Sequence, residues 1–185
     1  MCDDGKGGVT ACLNANGSAA APRVFYGRSD PANEGSISST LTLFKRFRVY
    51  GLVDWKTGQT QFNNNIRAKC QIFRLCPENF APLEYDPVLI AQYDSPNILR
   101  NFTYADAGFA RLRELSLSYS LPKAFAAHVG ANAGVLTVSG RNLHMWTKWT
   151  GVDPEAFFVV EQFARTEQAQ VPPLRQILFS MNFTF

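Results

Sequence analysis

The clearest feature of the sequence is an alternation of apolar and polar residues with a period of two, strongest near the end of the chain. From Leu174 to Phe185, the odd positions from 177 onward are all apolar, whereas the even positions are mostly polar. Successive side chains of a β-strand point to opposite faces, so this pattern predicts a strand with one apolar face. The polar face carries no charged side chain between 176 and 184, which favours a wet environment over a packed core.

Four upstream segments repeat the pattern and predict four more strands. They are Ser36–Phe44, Phe47–Trp55, Phe109–Ser120 and Val135–Trp146. Only Lys45 and Arg46 separate the first two, which indicates a hairpin.

Three local features of these segments are less regular. In the second segment Tyr50 and Leu52 compete with Val49 and Val53 for the apolar face. The alternation is interrupted near Leu112, which predicts a bulge, and again around residues 142–143. Between the third and fourth regular segments, residues 121–130 are typical of one short helix closed by Gly130.

Connections between the five predicted strands alternate between short and long. They measure about 2, 50, 12 and 25 residues. Strands of about nine to twelve residues cross a bilayer at a strong tilt, and outer-membrane barrels combine short periplasmic turns with long extracellular loops. We therefore predict an all-β chain, an antiparallel segment of a transmembrane β-barrel, with residues 36–185 supplying the strands. Residues 1–35, 57–108 and 147–173 are expected to be extracellular loop regions.

Five predicted strands are too few, and odd in number, for a closed barrel. Bacterial single-chain barrels close with even counts, and the open edges of a five-stranded sheet would expose backbone polar groups to lipid. We therefore expect these five to be the C-terminal strands of a larger barrel that contains further strands.

Composition and charge argue against a helical membrane protein and against a nucleic-acid-binding protein. No run approaches the roughly 18 apolar residues of a transmembrane helix. The net charge of +3 comes from scattered lysines and arginines, so no nucleic-acid partner is expected. The cysteines form two close pairs in polar segments, Cys2 with Cys12 and Cys70 with Cys76, and disulfides are favoured over a metal site. Three connectivities are possible, and local pairing is the simplest.

No motif for catalysis or cofactor binding is recognisable, so we expect neither an enzyme nor a bound metal or cofactor. Asp153 and Glu155 are read as residues that shape a solvated loop. The tryptophans Trp55, Trp146 and Trp149 are read as a membrane-interface girdle, with sugar stacking on Trp149 as the alternative. Arg111 and Arg113 share the parity of the apolar face and are expected to reach lipid head groups or lipopolysaccharide.

Several segments resemble motifs of the SusC/RagA family of TonB-linked outer-membrane proteins. The stretch from Phe109 to Pro122 (FARLRELSLSYSLP) resembles the family's RLR-x-x-x-LSY-x-LP signature. Downstream, SGRNLHMWT from Ser139 and TGVDPE from Thr150 look like its G-x-NL-x-x-WT and TG-x-DPE motifs. The resemblance covers roughly residues 25–185 and is specific from Phe109 onward.

The resemblance implies an importer of oligosaccharides or peptides in the outer membrane of a Gram-negative type cell. It implies four kinds of partner: a SusD-like lipoprotein, TonB acting through parts outside this chain, the lipid and lipopolysaccharide of the outer membrane, and the barrel-assembly machinery. That machinery would recognise the terminal apolar side chains Phe179, Met181, Phe183 and Phe185. The rival hypothesis is a secreted, disulfide-containing β-sandwich, a carbohydrate-binding or adhesin module, in which those side chains meet a second sheet.

Overall fold

A computed structural model describes residues 27–94, 101–159 and 164–185 continuously, together with 2–3, 9–10, 13, 15–17 and 25. The chain forms two units, which we call the sheet unit and the loop unit. The sheet unit comprises residues 31–58, 107–148 and 171–185, and the loop unit comprises residues 1–30, 59–106 and 149–170. The strands are β1 (Cys2–Asp3), β2 (Val9–Thr10), β3 (Asn33–Leu43), β4 (Phe47–Thr57), β5 (Thr60–Asn63), β6 (Tyr104–Asp106), β7 (Phe109–Ser120), β8 (Ala133–Thr147), β9 (Phe158–Val159), β10 (Arg165–Glu167) and β11 (Gln176–Thr184). The α-helices are α1 (Asn64–Arg67), α2 (Pro77–Phe80), α3 (Pro87–Asp94) and α4 (Lys123–Ala127).

The sheet unit is an antiparallel sheet of five strands in the order β11-β8-β7-β4-β3. Each strand pairs with the neighbour that precedes or follows it among these five, so the topology is a simple meander. All five predicted strands are confirmed, with ends that extend or shorten by up to about three residues. The sheet is open, with β3 and β11 as its edge strands.

The β3–β4 hairpin turns over three residues, 44–46. Phe44 and Lys45 both have positive φ values, 49° and 61°, and the Arg46 amide donates to the Leu43 carbonyl at 3.2 Å. Two consecutive left-handed residues give the turn the twist that antiparallel strands require. The turn contains neither glycine nor asparagine, so its geometry is not signalled by the usual turn residues.

The connection from β7 to β8 contains α4, as the sequence predicts. Pro122 precedes the helix and supplies a fixed φ. Gly130 adopts a left-handed φ of 73°, and its amide donates to the Ala127 carbonyl at 3.0 Å. A residue without Cβ tolerates this conformation, which explains why the helical turn ends there.

The loop unit has secondary structure of its own, although we expected its long segments to be loops. It contains a four-stranded sheet in the order β6-β5-β10-β9, in which β5 and β10 are parallel. A π-helix (Ala68–Ile72), two 3-10 turns (Pro82–Glu84 and Asn101–Thr103) and helices α1 to α3 complete it. The protein is therefore mostly β rather than all-β. Within the described ranges, no helix has the length and apolarity needed to span a membrane.

Candidate functional site

The sheet unit carries a continuous apolar face, which is the leading candidate for a functional surface. Strand register aligns two rows of apolar or aromatic side chains across all five strands. The rows are Leu41, Val49, Leu117, Val138 and Phe179, and Leu43, Phe47, Tyr119, Leu136 and Met181. Phe179 is 78% exposed and Ile177 is 67% exposed, so no described part of the chain covers them. This exposure contradicts the β-sandwich alternative, which requires a second sheet over these side chains.

The opposite face of the same sheet is polar. Between the two apolar rows lies a row whose members all carry hydroxyl or guanidinium groups: Thr42, Arg48, Ser118, Thr137 and Ser180. The Ser118 and Thr137 hydroxyls lie 2.9 Å apart and form a cross-strand hydrogen bond. The register also places Val49 and Val53 on the apolar face of β4 and Tyr50 and Leu52 on the polar face, which resolves the ambiguity of this strand.

Aromatic side chains mark both ends of the apolar face. At one end, Trp55 and Trp146 flank Ala110 in a single row across β4, β7 and β8. At the other end, the rings of Phe47 and Tyr119 lie 4.8 Å apart. Phe47 and Trp55 are about 26 Å apart along β4, given a rise of about 3.3 Å per residue.

A bulge changes which side chains belong to the polar face. On β7, Leu112 is opposite Val53 and Glu114 is opposite Leu52, so Arg113 is the extra residue. The interruption predicted near Leu112 is therefore confirmed. On β8, residues 142–143 lie between paired positions, as the irregularity predicted there indicates.

The same bulge overturns the role expected of Arg111 and Arg113. The extra residue shifts the alternation by one, so both side chains join the polar face instead of the apolar one. Arg113 Nε donates to Asp54 Oδ2 at 2.7 Å, and Arg111 is only 3% exposed. The expectation that these two arginines reach lipid head groups or lipopolysaccharide is therefore wrong.

In the loop unit, polar contacts concentrate on the buried carboxylate of Glu167. This side chain is fully buried and accepts four hydrogen bonds, from Trp149 Nε1 (2.7 Å), Asn65 Nδ2 (2.9 Å) and the amides of Val152 (3.1 Å) and Asp153 (3.2 Å). Burying a carboxylate is costly unless several donors replace its water. Through these hydrogen bonds, Glu167 of β10 links the loop that follows β8 with helix α1.

Two neighbours adapt the loop to this carboxylate. A Cβ at Gly151 would overlap the Glu167 carboxylate and the Trp149 indole nitrogen, so only glycine fits there. Asp153 Oδ1 accepts from the Glu155 amide at 2.9 Å, which is a loop-shaping contact of the kind expected for these two acidic residues.

Trp149 does not present a stacking surface. Its side chain is 6% exposed, and its indole N–H is bound to Glu167. Stacking of a sugar requires an open ring face, which the buried Trp149 does not present in this structure. Trp149 is also too buried to join Trp55 and Trp146 in an exposed girdle.

A cleft of about 320 Å³ lies beside the Glu167 cluster, within the loop unit. Its walls carry carboxamide, ammonium and hydroxyl groups from Asn63, Asn65, Lys69 and Thr150, with Ile66 as an apolar patch. Several of these groups are already engaged: Asn63 Oδ1 caps α1 by accepting from the Ile66 amide at 3.0 Å.

Cys70 and Cys76 are joined by a disulfide in the small apolar cluster of the loop unit. The cluster also contains Tyr93, whose ring lies 4.9 Å from that of Phe102. Burial raises the pKa of Tyr93 above its ordinary value of 10.0, and the Glu78 carboxylate raises it further. Of the other cysteine pair, Cys12 lies outside the described residues.

Sequence reasoning missed Glu167 and Gln61. Gln61 Nε2 donates to the Pro154 carbonyl at 2.7 Å across 93 positions of sequence. Neither residue lies in a motif or a strongly periodic segment, so no local signal identifies them. Of the terminal apolar side chains, Phe179 and Met181 lie on the exposed face, and Phe183 shares their parity on β11.

Comparison with known proteins finds similarity to one curated TonB-dependent receptor. No protein-family model matches the chain. The curated TonB-dependent receptor P3 of Formosa agariphila is 31% identical over 86 residues, which are 43% of this chain and 9% of that protein.

Solved structures of the RagAB peptide importer share the fold. The open-open state matches with a TM-score of 0.68 and 19% identity over 100% of this chain and 20% of the solved chain. The closed-closed state gives a TM-score of 0.64 and 18% identity over 94% of this chain and 20% of that chain.

The chain thus spans about a tenth of the length of its curated relative and a fifth of the solved chains. By name these relatives are a receptor and an importer. Shared sequence and shared fold together support the recognition of this chain as a segment of a SusC/RagA-type, TonB-dependent outer-membrane protein.

Proposed function

We propose that this chain forms the last strands of a transmembrane β-barrel in a TonB-dependent transporter that, as a whole protein, imports oligosaccharides or peptides. In this proposal the apolar face of the sheet unit contacts the hydrocarbon of the outer membrane, and the polar face lines the lumen. The loop unit, with the long segments 57–108 and 147–173, lies on the extracellular side, as does the N-terminal region 1–35.

The observation that carries the proposal is the exposed apolar face with its aromatic borders. Barrel proteins of the outer membrane have an apolar band about 25 Å tall between two aromatic girdles, and strands that alternate apolar-out and polar-in. The borders Trp55 with Trp146 and Phe47 with Tyr119 enclose rows of comparable extent. A water-soluble protein rarely leaves so large a contiguous apolar surface uncovered.

The open edges of the sheet also fit this proposal. Edge strands β3 and β11 present backbone donors and acceptors that lipid cannot satisfy. Further strands of the same barrel would pair with both edges. The chain spans a fifth of the solved chains that it matches, so such strands belong to the remaining four fifths of a protein of that size.

Partners follow from the same proposal. Transport in the intact protein would depend on TonB through parts outside this chain, and a SusD-like lipoprotein would pair with it. The RagAB structures, which are of a peptide importer, support peptides as one of the two substrate classes. The exposed side chains of Phe179, Met181 and Phe185, with Phe183, would serve as the signal for the barrel-assembly machinery.

A pair of arginine substitutions in the full-length protein tests the proposal. Leu115 and Ser116 are consecutive on β7 and lie on opposite faces, midway between the two aromatic borders. Leu115→Arg places a charge on the lipid side and should destabilise the folded protein in a bilayer by about 2–4 kcal/mol. Ser116→Arg places the same charge on the luminal side and should cost far less. Equal effects of the two substitutions on urea unfolding in liposomes would contradict the proposal.

A further inference from the structure

Charge is distributed unevenly along the strands of the sheet unit. The short-turn end consists of the hairpin 44–46, the α4 connection and the adjoining strand halves. Residues 40–48, 116–139 and 177–185, which build this end, include Lys45, Arg46, Arg48 and Lys123 but no aspartate or glutamate. All four cations are exposed.

Three cations in the other half of the sheet have acidic partners. Lys56 Nζ lies 3.4 Å from Glu34, Arg113 Nε lies 2.7 Å from Asp54, and Arg141 Nε lies 3.7 Å from Glu114. Within the described ranges, no ion pair involves the four cations of the short-turn end. Their charge is therefore not compensated by side chains of the sheet unit and is available to an anionic partner.

The basic end adjoins the aromatic border of the apolar face. The Ser120 amide donates to the Arg46 carbonyl at 2.9 Å, which brings the hairpin beside the segment that leads to Lys123. The Phe47 and Tyr119 pair lies just behind it on the apolar face. Two exposed aromatic side chains, Phe44 (87%) and Phe125 (58%), are interleaved with the cations.

Along the strands, apolar rows are followed by an aromatic border and then by unpaired cations. This order matches a lipid leaflet, in which hydrocarbon is followed by an interface and then by phosphate groups. Aromatic rings and long basic side chains favour that boundary because each has an apolar body and a polar tip. Cations near an anionic lipid surface each contribute to binding. This order of groups favours a lipid head group over a protein surface as the partner.

We propose that the short-turn end of the sheet unit is a docking surface for anionic glycerophospholipid, with Lys45, Arg46 and Lys123 contacting the phosphate groups. The inference rests on the proposed function, in which the short turns face the periplasm and hence the phospholipid leaflet. The phosphates of lipopolysaccharide carry similar charge, but they would require this end to face outward.

The test uses the full-length protein in nanodiscs that contain phosphatidylcholine and phosphatidylglycerol. Native mass spectrometry counts the copies of each lipid that stay bound when the protein is released from the nanodisc. We expect phosphatidylglycerol to be retained preferentially. The K45Q/R46Q variant should lose this preference by roughly fivefold for each cation removed. The control K148Q/R175Q removes two exposed cations from the other end of the sheet and should keep the preference.

Lys123→Gln provides a second variant outside the hairpin, and it should lower the preference without altering the turn. Unchanged retention in both variants would overturn the inference. So would a loss of lipid A, instead of phosphatidylglycerol, from these variants in nanodiscs that also contain lipid A. A nitroxide at Val138 separates this inference from the proposed function. If the label is lipid-exposed and retention is unchanged, only the docking surface is wrong, whereas a water-exposed label overturns both.

Discussion

The Arg113 guanidinium on β7 lies 2.7 Å from the Asp54 carboxylate on β4, on the polar face of the sheet. Counting residues in twos along β7 would place Arg113 on the apolar face. The bulge brings it to the polar face, where it also donates to Asn142 Oδ1 at 3.4 Å. A charge that would otherwise face lipid is therefore paired on the other side of the sheet.

This pair should contribute measurably to stability. Both side chains are less than a quarter exposed, so Asp54→Ala leaves a half-buried guanidinium without its anion. We expect a loss of about 1–3 kcal/mol in the free energy of unfolding. A double-mutant cycle with Arg113→Ala isolates the pairwise contribution.

The more exposed pair of Glu34 and Lys56 is the control for this cycle. Its coupling energy should be below about 1 kcal/mol. A coupling for Asp54 and Arg113 no larger than that of the control would contradict the buried character of the pair.

The Glu167 cluster makes a second prediction. Glu167→Ala leaves four donors without an acceptor and should destabilise the loop unit by about 3 kcal/mol or more. Trp149→Phe removes one of these bonds and should cost about 1–3 kcal/mol. Amide hydrogen exchange of the loop unit measures both.

Ligand binding separates this structural role of Trp149 from the stacking role. Trp149→Phe should leave substrate affinity unchanged once the protein is folded. A large loss of affinity without loss of stability would restore the stacking hypothesis. Trp146→Phe, at an exposed position, is the matched control for stability.

The disulfide between Cys70 and Cys76 should stabilise only its own unit. Closing a loop of this length contributes about 2 kcal/mol by the chain-entropy estimate. In C70S/C76S, amide exchange should accelerate around Tyr93 and Phe102, which pack in the same cluster. Exchange in β7 and β8 should not change, and acceleration there would show that the two units are not independent in stability.

Phe185 makes a prediction about assembly. If the terminal apolar side chains are recognised during insertion, Phe185→Ala should lower the fraction of full-length protein that reaches the outer membrane in folded form. Heat-modifiable migration on gels measures that fraction. Thr184→Ala changes the neighbouring residue on the other face and should have little effect, so equal losses would argue against recognition of the apolar side chains.

The sheet unit was largely predictable because each strand has one apolar face and one polar face. Val135–Trp146 was predicted where β8 runs from Ala133 to Thr147, and the bulge near Leu112 was also located correctly. The face on which Arg111 and Arg113 lie was not predicted correctly. Simple alternation along β7 does not include the shift by one position that the extra residue of the bulge causes.

The loop unit was much less predictable. Its order depends on contacts between distant residues, such as Asn65 with Glu167 across 102 positions, in segments with no regular apolar period. Burial of Trp149 follows from that contact network and not from its neighbours in sequence. A tryptophan beside a long loop has the same local pattern whether it is exposed or buried.

Nitroxide labels placed one at a time from position 177 to 183 on β11 test the central claim most directly. Oxygen partitions into lipid and a nickel chelate stays in water, so their effects on the label report its surroundings in the reconstituted full-length protein. If the apolar face contacts lipid, oxygen will be the main collision partner of labels at 177, 179, 181 and 183, and the nickel chelate that of labels at 178, 180 and 182. Uniform accessibility along β11, or the opposite alternation, would contradict it.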